Sequence, residues 1–177
     1  MRSDQTNPGP WPASSAISVR NIIQVTNDRT ILFLDIDGVL LTHRNPGMFD
    51  AFALAPGCLE FLEWATARFR CRWLTSRART GWPDGIRRAF RAAGAPLDDP
   101  RWAVLDPIES AAWSINKSEA LDPKSEFWWV DDAASPNDRA WLREHGCEDR
   151  LIEISTDHDP NALTSLIRFW DRNSREK

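Results

Sequence analysis

Along most of this chain, apolar residues fall into two alternating patterns. From Thr30 onward, short apolar runs of strand length are separated by stretches whose apolar residues recur at helical spacing, which predicts an α/β domain built on a parallel sheet. Strands are expected over 30–36, 70–75, 102–105, 126–131 and 150–154, and a short extra one over 22–25. The first helix, about 56–68, opens at Pro56 and carries Leu59, Leu62, Ala65 and Phe69 on one face. The second, 84–93, has Asp84 as its cap and Gly94 as its stop. A third begins near Lys117. A fourth runs over 136–145 behind Ser135-Pro136, and a fifth over about 160–171 behind Asp159-Pro160. Residues 1–20, rich in Ser, Pro, Asn and Gly, read as a disordered leader, and 21–177 as one domain.

Composition narrows the function classes. The 177 residues, 42% hydrophobic and 27% charged, suffice for one domain with a sizeable core. A net charge of -4 gives no overall attraction to nucleic acid or anionic lipid, and nowhere do 18 apolar residues run together. Cys58, Cys71 and Cys147 form no Cys-x-x-Cys pair and sit in or beside apolar stretches, as small buried hydrophobes in a reducing compartment. No charged start followed by an apolar stretch of signal-peptide length opens the chain, so a cytoplasmic location is expected. Only Lys117, Lys124 and Lys177 of the 22 basic residues are lysines, which makes a well-placed lysine informative.

The chemistry begins in Ile31-Leu32-Phe33-Leu34-Asp35-Ile36-Asp37-Gly38-Val39-Leu40, an apolar strand that ends in two carboxylates and a glycine turn. Residues i and i+2 of an extended strand point the same way, so Asp35 and Asp37 would crowd two like charges unless a divalent cation joined them. Mg2+, a hard ion that takes oxygen ligands and keeps positions for water or phosphate, suits such a site. Three more elements lie at strand or helix ends: Thr75-Ser76-Arg77 after an apolar strand, Lys117 at a helix start, and Asp131-Asp132 after Phe127-Trp128-Trp129-Val130. Each alone reads as turn or cap chemistry. A lysine at a helix start even opposes the helix dipole.

In this order the four elements resemble the haloacid dehalogenase-like superfamily of phosphatases and phosphotransferases: Asp35-Ile36-Asp37-Gly38 for its first motif, Thr75 for its second, Lys117 for its third, and Asp131-Asp132 for its fourth. The likeness covers about residues 30–155. Trp141-Leu142 and the tail from His158 through Trp170 resemble a small group without a cap domain, some of whose relatives are attached to RNA-repair modules. The resemblance implies a Rossmann-like α/β fold with helices flanking a central parallel sheet, and a Mg2+-dependent phosphatase. Asp35 would be the nucleophile that becomes an aspartyl phosphate, and Asp37 the general acid and base. Thr75 and Lys117 would hold phosphoryl oxygens. Mg2+ would sit on Asp35, the Asp37 carbonyl and Asp132, with Asp131 behind, or with those two exchanged. The presence of Asp37 disfavours dehalogenation.

Neither interval, 35–75 or 75–117, has room for a cap, and in the family such openness goes with large substrates or a protein partner that closes the site. The expected substrate is therefore a nucleotide or polynucleotide end. His43 and Arg44, in the flap over 41–54, and Ser76 and Arg77 are the candidate substrate contacts; Arg77 and Arg79 could each reach a second phosphate. Arg87, Arg88 and Arg91 form a basic stripe, and Trp82 is a candidate stacking residue. The other Trp residues in regular patterns, Trp64, Trp73, Trp102, Trp128, Trp129 and Trp170, read as core. The alternative reading is a binding module that keeps the fold without turnover.

Overall fold

A computed structural model describes residues 30–44, 51–79, 81 and 84–173. The leader, the 22–25 strand and Trp82 lie outside the described residues. Among the described residues, seven strands, β1 (Ile31–Leu34), β2 (Leu41–His43), β3 (Phe52–Leu54), β4 (Arg70–Trp73), β5 (Glu109–Ser110), β6 (Phe127–Asp131) and β7 (Leu151–Glu153), are joined by four α-helices. These are α1 (Cys58–Thr66), α2 (Asp84–Ala92), α3 (Pro136–Glu144) and α4 (Ala162–Asn173). Five strands form one parallel sheet in the order β5-β4-β1-β6-β7, while β2 and β3 pair as a separate antiparallel hairpin.

The period-2 alternation of the central strands sorts their side chains onto two faces. Leu32, Leu34, Cys71, Trp73, Trp128 and Val130 share one core with Phe61 and Leu62 of α1, Ile86 and Phe90 of α2, and Leu163, Leu166 and Trp170 of α4. Phe33, Phe127 and Trp129 face the other side, against Leu142 of α3 and Leu121. Helices therefore flank both faces of the sheet, an α/β arrangement compatible with a Rossmann-like fold. All six Trp read as core are buried, as are the three free cysteines. Among the described residues, no helix is long and apolar enough to cross a membrane.

Two expected elements differ. The 102–105 run is part of a 3-10 helix, Pro100–Leu105, in place of a strand: Pro100 opens it, the Asp99 carboxylate accepts from the Arg101 N–H at 2.9 Å, and Trp102 and Leu105 are buried one turn apart. The edge strand comes later, at Glu109–Ser110, where the side chains carry no apolar pattern. The helix expected from Lys117 is a single 3-10 turn, Lys117–Ala120.

Chain order fixes where a site can form. From β1 the chain crosses to β4 and β5 on one side, then returns to β6 and β7 on the other. The strand order reverses beside β1, and ligands of open parallel sheets gather at the carboxyl ends of strands flanking such a point.

Candidate metal and phosphate site

Asp35 directly follows β1 and Asp131 ends β6, the neighbouring strand; the Asp35 N–H donates to the Val130 carbonyl at 3.0 Å. By the same alternation that buries Phe33 and Trp129, both carboxylates project toward the α3 face. Asp132 follows at once. One oxygen from each of Asp35, Asp131 and Asp132 can be chosen so that all lie within 4.8 Å of one another. The turn after β1 makes room for this: Gly38 has φ 73°, and a Cβ there would stand 2.2 Å from Oδ2 of Asp132. The Gly38 carbonyl accepts from the Thr156 N–H at 2.8 Å and its hydroxyl at 3.1 Å, which ties the turn to the segment after β7.

Lys117 enters the cluster from the α3 face. Its Nζ lies 2.7 Å from Oδ2 of Asp35 and 2.6 Å from Oδ2 of Asp131. The backbone around it is pinned twice: the Glu119 carboxylate accepts from the N–H groups of Ser114, Ile115 and Asn116, and buried Asp138 of α3 accepts from the Ser118 N–H at 2.8 Å. Asp131 also accepts from Trp129 Nε1 and the Ala133 N–H, each at 3.0 Å, so both of its oxygens are engaged. Asp132 receives no side-chain donor among the described residues.

The electrostatics follow from burial of three acids around one cation. Burial, then the nearby Asp131 charge, pushes the Asp35 carboxyl up to about 7 against the pull of Lys117. The same two causes push Asp132 up to about 6. Burial alone would depress the Lys117 ammonium; the Asp35 and Asp131 carboxylates outweigh it and hold the group above its ordinary value. One cation against three acids leaves the cluster short of positive charge. An all-oxygen donor set with that deficit fits a hard divalent cation.

Asp37 departs from the crowding expected with Asp35. The strand ends at Leu34 and the chain turns, so Asp37 is gripped by Arg77: Nε lies 2.9 Å from both carboxylate oxygens and Nη2 lies 2.6 Å from Oδ1. The acids that share a site are Asp35, Asp131 and Asp132. Thr75, fully buried beyond β4, caps a short 3-10 turn by accepting from the Arg77 N–H at 3.4 Å, and Ser76 is exposed on that turn. Gly85 lets α2 close onto this turn, since a Cβ there would stand 2.4 Å from the Arg77 carbonyl oxygen.

The remaining candidates sit on the hairpin. His43 Nδ1 is 2.7 Å from Oδ2 of Asp157, and Oδ1 of Asp157 accepts from the His43 N–H and the Thr42 hydroxyl, each at 2.7 Å. These hydrogen bonds overcome partial burial and hold the Asp157 carboxyl below its ordinary value. His43 thus anchors the hairpin to the segment after β7. Arg44 is exposed and donates from Nε to the Phe52 carbonyl at 2.8 Å. Sequence reasoning missed Asp157, Thr156 and the Trp129 indole; an acid just beyond the carboxyl end of β7 was the available signal for the first.

No protein-family model and no curated protein matches this chain.

Proposed function

We propose that this protein is a Mg2+-dependent phosphatase of the haloacid dehalogenase-like type, hydrolysing phosphomonoesters through an aspartyl phosphate on Asp35. The observation that carries the reading is Lys117, whose single ammonium bridges Asp35 and Asp131 beside Asp132 at the carboxyl edge of a parallel sheet. Buried lysine–carboxylate clusters with surplus acid are costly unless a ligand completes them, which favours a working site over a structural one.

In this reading Asp35, Asp132 and the Asp37 carbonyl would hold the ion, with Asp131 behind them, oriented by Trp129 and Ala133. Bound there, Mg2+ supplies positive charge to the carboxylates and the phosphoryl oxygens. The Lys117 ammonium and the Thr75 hydroxyl hold those oxygens as charge develops. An Asp35 oxygen attacks phosphorus while the ester P–O bond breaks, and Asp37 gives its proton to the leaving oxygen. Asp37 then takes a proton from the water that attacks the phosphoryl group, releasing phosphate and restoring Asp35. Arg77 fixes where Asp37 points throughout.

The segments between β1 and β4, and between β4 and Lys117, supply the hairpin, flanking helices and edge strand, which supports a site without a cap domain. A nucleotide or a polynucleotide end is the substrate we favour, given Arg44, Arg77 and Arg79 around an open edge. Phosphate release from 4-nitrophenyl phosphate tests the activity: it should require Mg2+, stop with chelator, and fall below about a hundredth in Asp35→Asn, the scale of losing one essential group. A protein inert toward all phosphomonoesters with Mg2+ would be a binding module.

A further inference from the structure

We propose that the cleft between the β2–β3 hairpin and α2 binds a second phosphate of the substrate, on the leaving-group side of the scissile ester. The cleft is about 310 Å³ and is lined by Arg44, Ala51, Phe52, Arg77, Ala89 and Ala92. Its polar side chains are two arginines from two different elements, and no carboxylate lines it among the described residues. The α2 side contributes two alanines, which add no charge to the cleft.

The guanidinium groups are anchored yet unsaturated. Arg77 uses its Nε and Nη2 on Asp37, and of the five N–H donors a guanidinium carries, those on the Nη1 edge have no partner among the described residues. Its plane also lies over the Phe52 ring, 4.9 Å from the centroid. Arg44 spends Nε on the Phe52 carbonyl, and its outer nitrogens have no partner among the described residues. Both forks are therefore fixed through the same residue of the hairpin. An oxyanion with several free oxygens can accept from two forks at once, which a terminal phosphate does best.

Position assigns the direction. In the catalytic reading, on which this inference rests, Asp37 faces the leaving oxygen, so a group touching the far edge of the Arg77 fork lies beyond that oxygen. Arg77 then bridges the acid–base carboxyl and the second phosphate. Binding energy from a group remote from the reacting bond becomes available to align the leaving group, which offsets the weak water exclusion of an open site.

Calorimetric binding of adenosine 3′,5′-bisphosphate, and of the matching 3′- and 5′-monophosphates, to Asp35→Asn protein in Mg2+ tests this without turnover. The bisphosphate should bind about 10–100-fold more tightly than either monophosphate, the range of one or two charge-assisted hydrogen bonds. Arg44→Gln, a change at an exposed side chain that leaves the Arg77 fork in place, should cut the bisphosphate advantage about tenfold, the scale of one charge-assisted hydrogen bond. Equal affinities for all three, or a bisphosphate advantage untouched by Arg44→Gln, would overturn the proposal. Phosphate release by the unsubstituted protein separates the two readings. No release with the affinity pattern intact removes the catalytic reading and leaves the cleft, whereas release with equal affinities does the reverse.

Discussion

Gly38 and Asp132 touch: a Cβ on Gly38 would stand 2.2 Å from the Asp132 carboxylate, and the glycine backbone has φ 73°. The turn after the first strand and the acid after the fourth expected one are thus a single fitted unit. Gly38→Ala adds a methyl that must displace the carboxylate and puts a Cβ on a left-handed backbone. Chemical unfolding should show a loss of about 1–3 kcal/mol, the cost of such strained conformations, and calorimetry should show weaker divalent-cation binding. Unchanged stability and affinity would mean that the turn yields without moving Asp132.

Lys117 is the only cation bonded to Asp35 and Asp131 among the described residues, and its side chain is just 15% exposed. Lys117→Met keeps the bulk and removes the charge. Metal-free protein at pH 8 should lose about 3 kcal/mol, as expected when one member of a buried ionic cluster is removed, with part of that loss recovered on adding Mg2+. A variant as stable as the parent without metal would show that the three acids need no compensating charge.

The raised Asp35 and Asp132 carboxyls give stability a defined pH dependence. An unfolded aspartate titrates near 3.9, whereas these two titrate at about 7 and about 6 in the fold, so between those limits the folded state holds more protons. Stability of metal-free protein should therefore fall as pH rises from about 5 to 7.5 and level off above it. The lowered carboxyls Glu119, Asp122 and Asp157 act below this window, where their contribution is lost as pH falls. Saturating Mg2+ should flatten or reverse the slope, because the ion binds the deprotonated form. Unfolding curves across this range, with and without Mg2+, check both arms.

Much of this arrangement is written in local pattern. The apolar runs before Asp35, Thr75 and Asp131 mark three adjacent strands of the sheet, and strand alternation alone sends Asp35 and Asp131 to the same face as Phe33 and Trp129. Lys117 stands out by rarity and by its place against a helix dipole. Its burial does not, because that depends on Asp138 and Glu119 folding its turn against α3. Pairings between distant segments were illegible for the same reason: Arg77 finds Asp37, and His43 finds Asp157, only once the sheet brings them together. The apolar run at 102–105 misled because Pro100 and Asp99 open a 3-10 turn that buries Trp102 and Leu105 without a strand, while the true edge strand carries Glu109 and Ser110.

In the proposed reaction Asp35 itself bonds to phosphorus. The test is rapid acid quench of the protein turning over 4-nitrophenyl phosphate in Mg2+, followed by peptide mass spectrometry. With 4-nitrophenyl phosphate a phosphoryl group is expected on Asp35 and on no other residue, accumulating further in Asp37→Asn, because 4-nitrophenolate leaves without an acid whereas the water that releases the phosphoryl group has lost its base. Steady phosphate release with Asp35 unmodified at every quench time, in the parent and in Asp37→Asn alike, would contradict it.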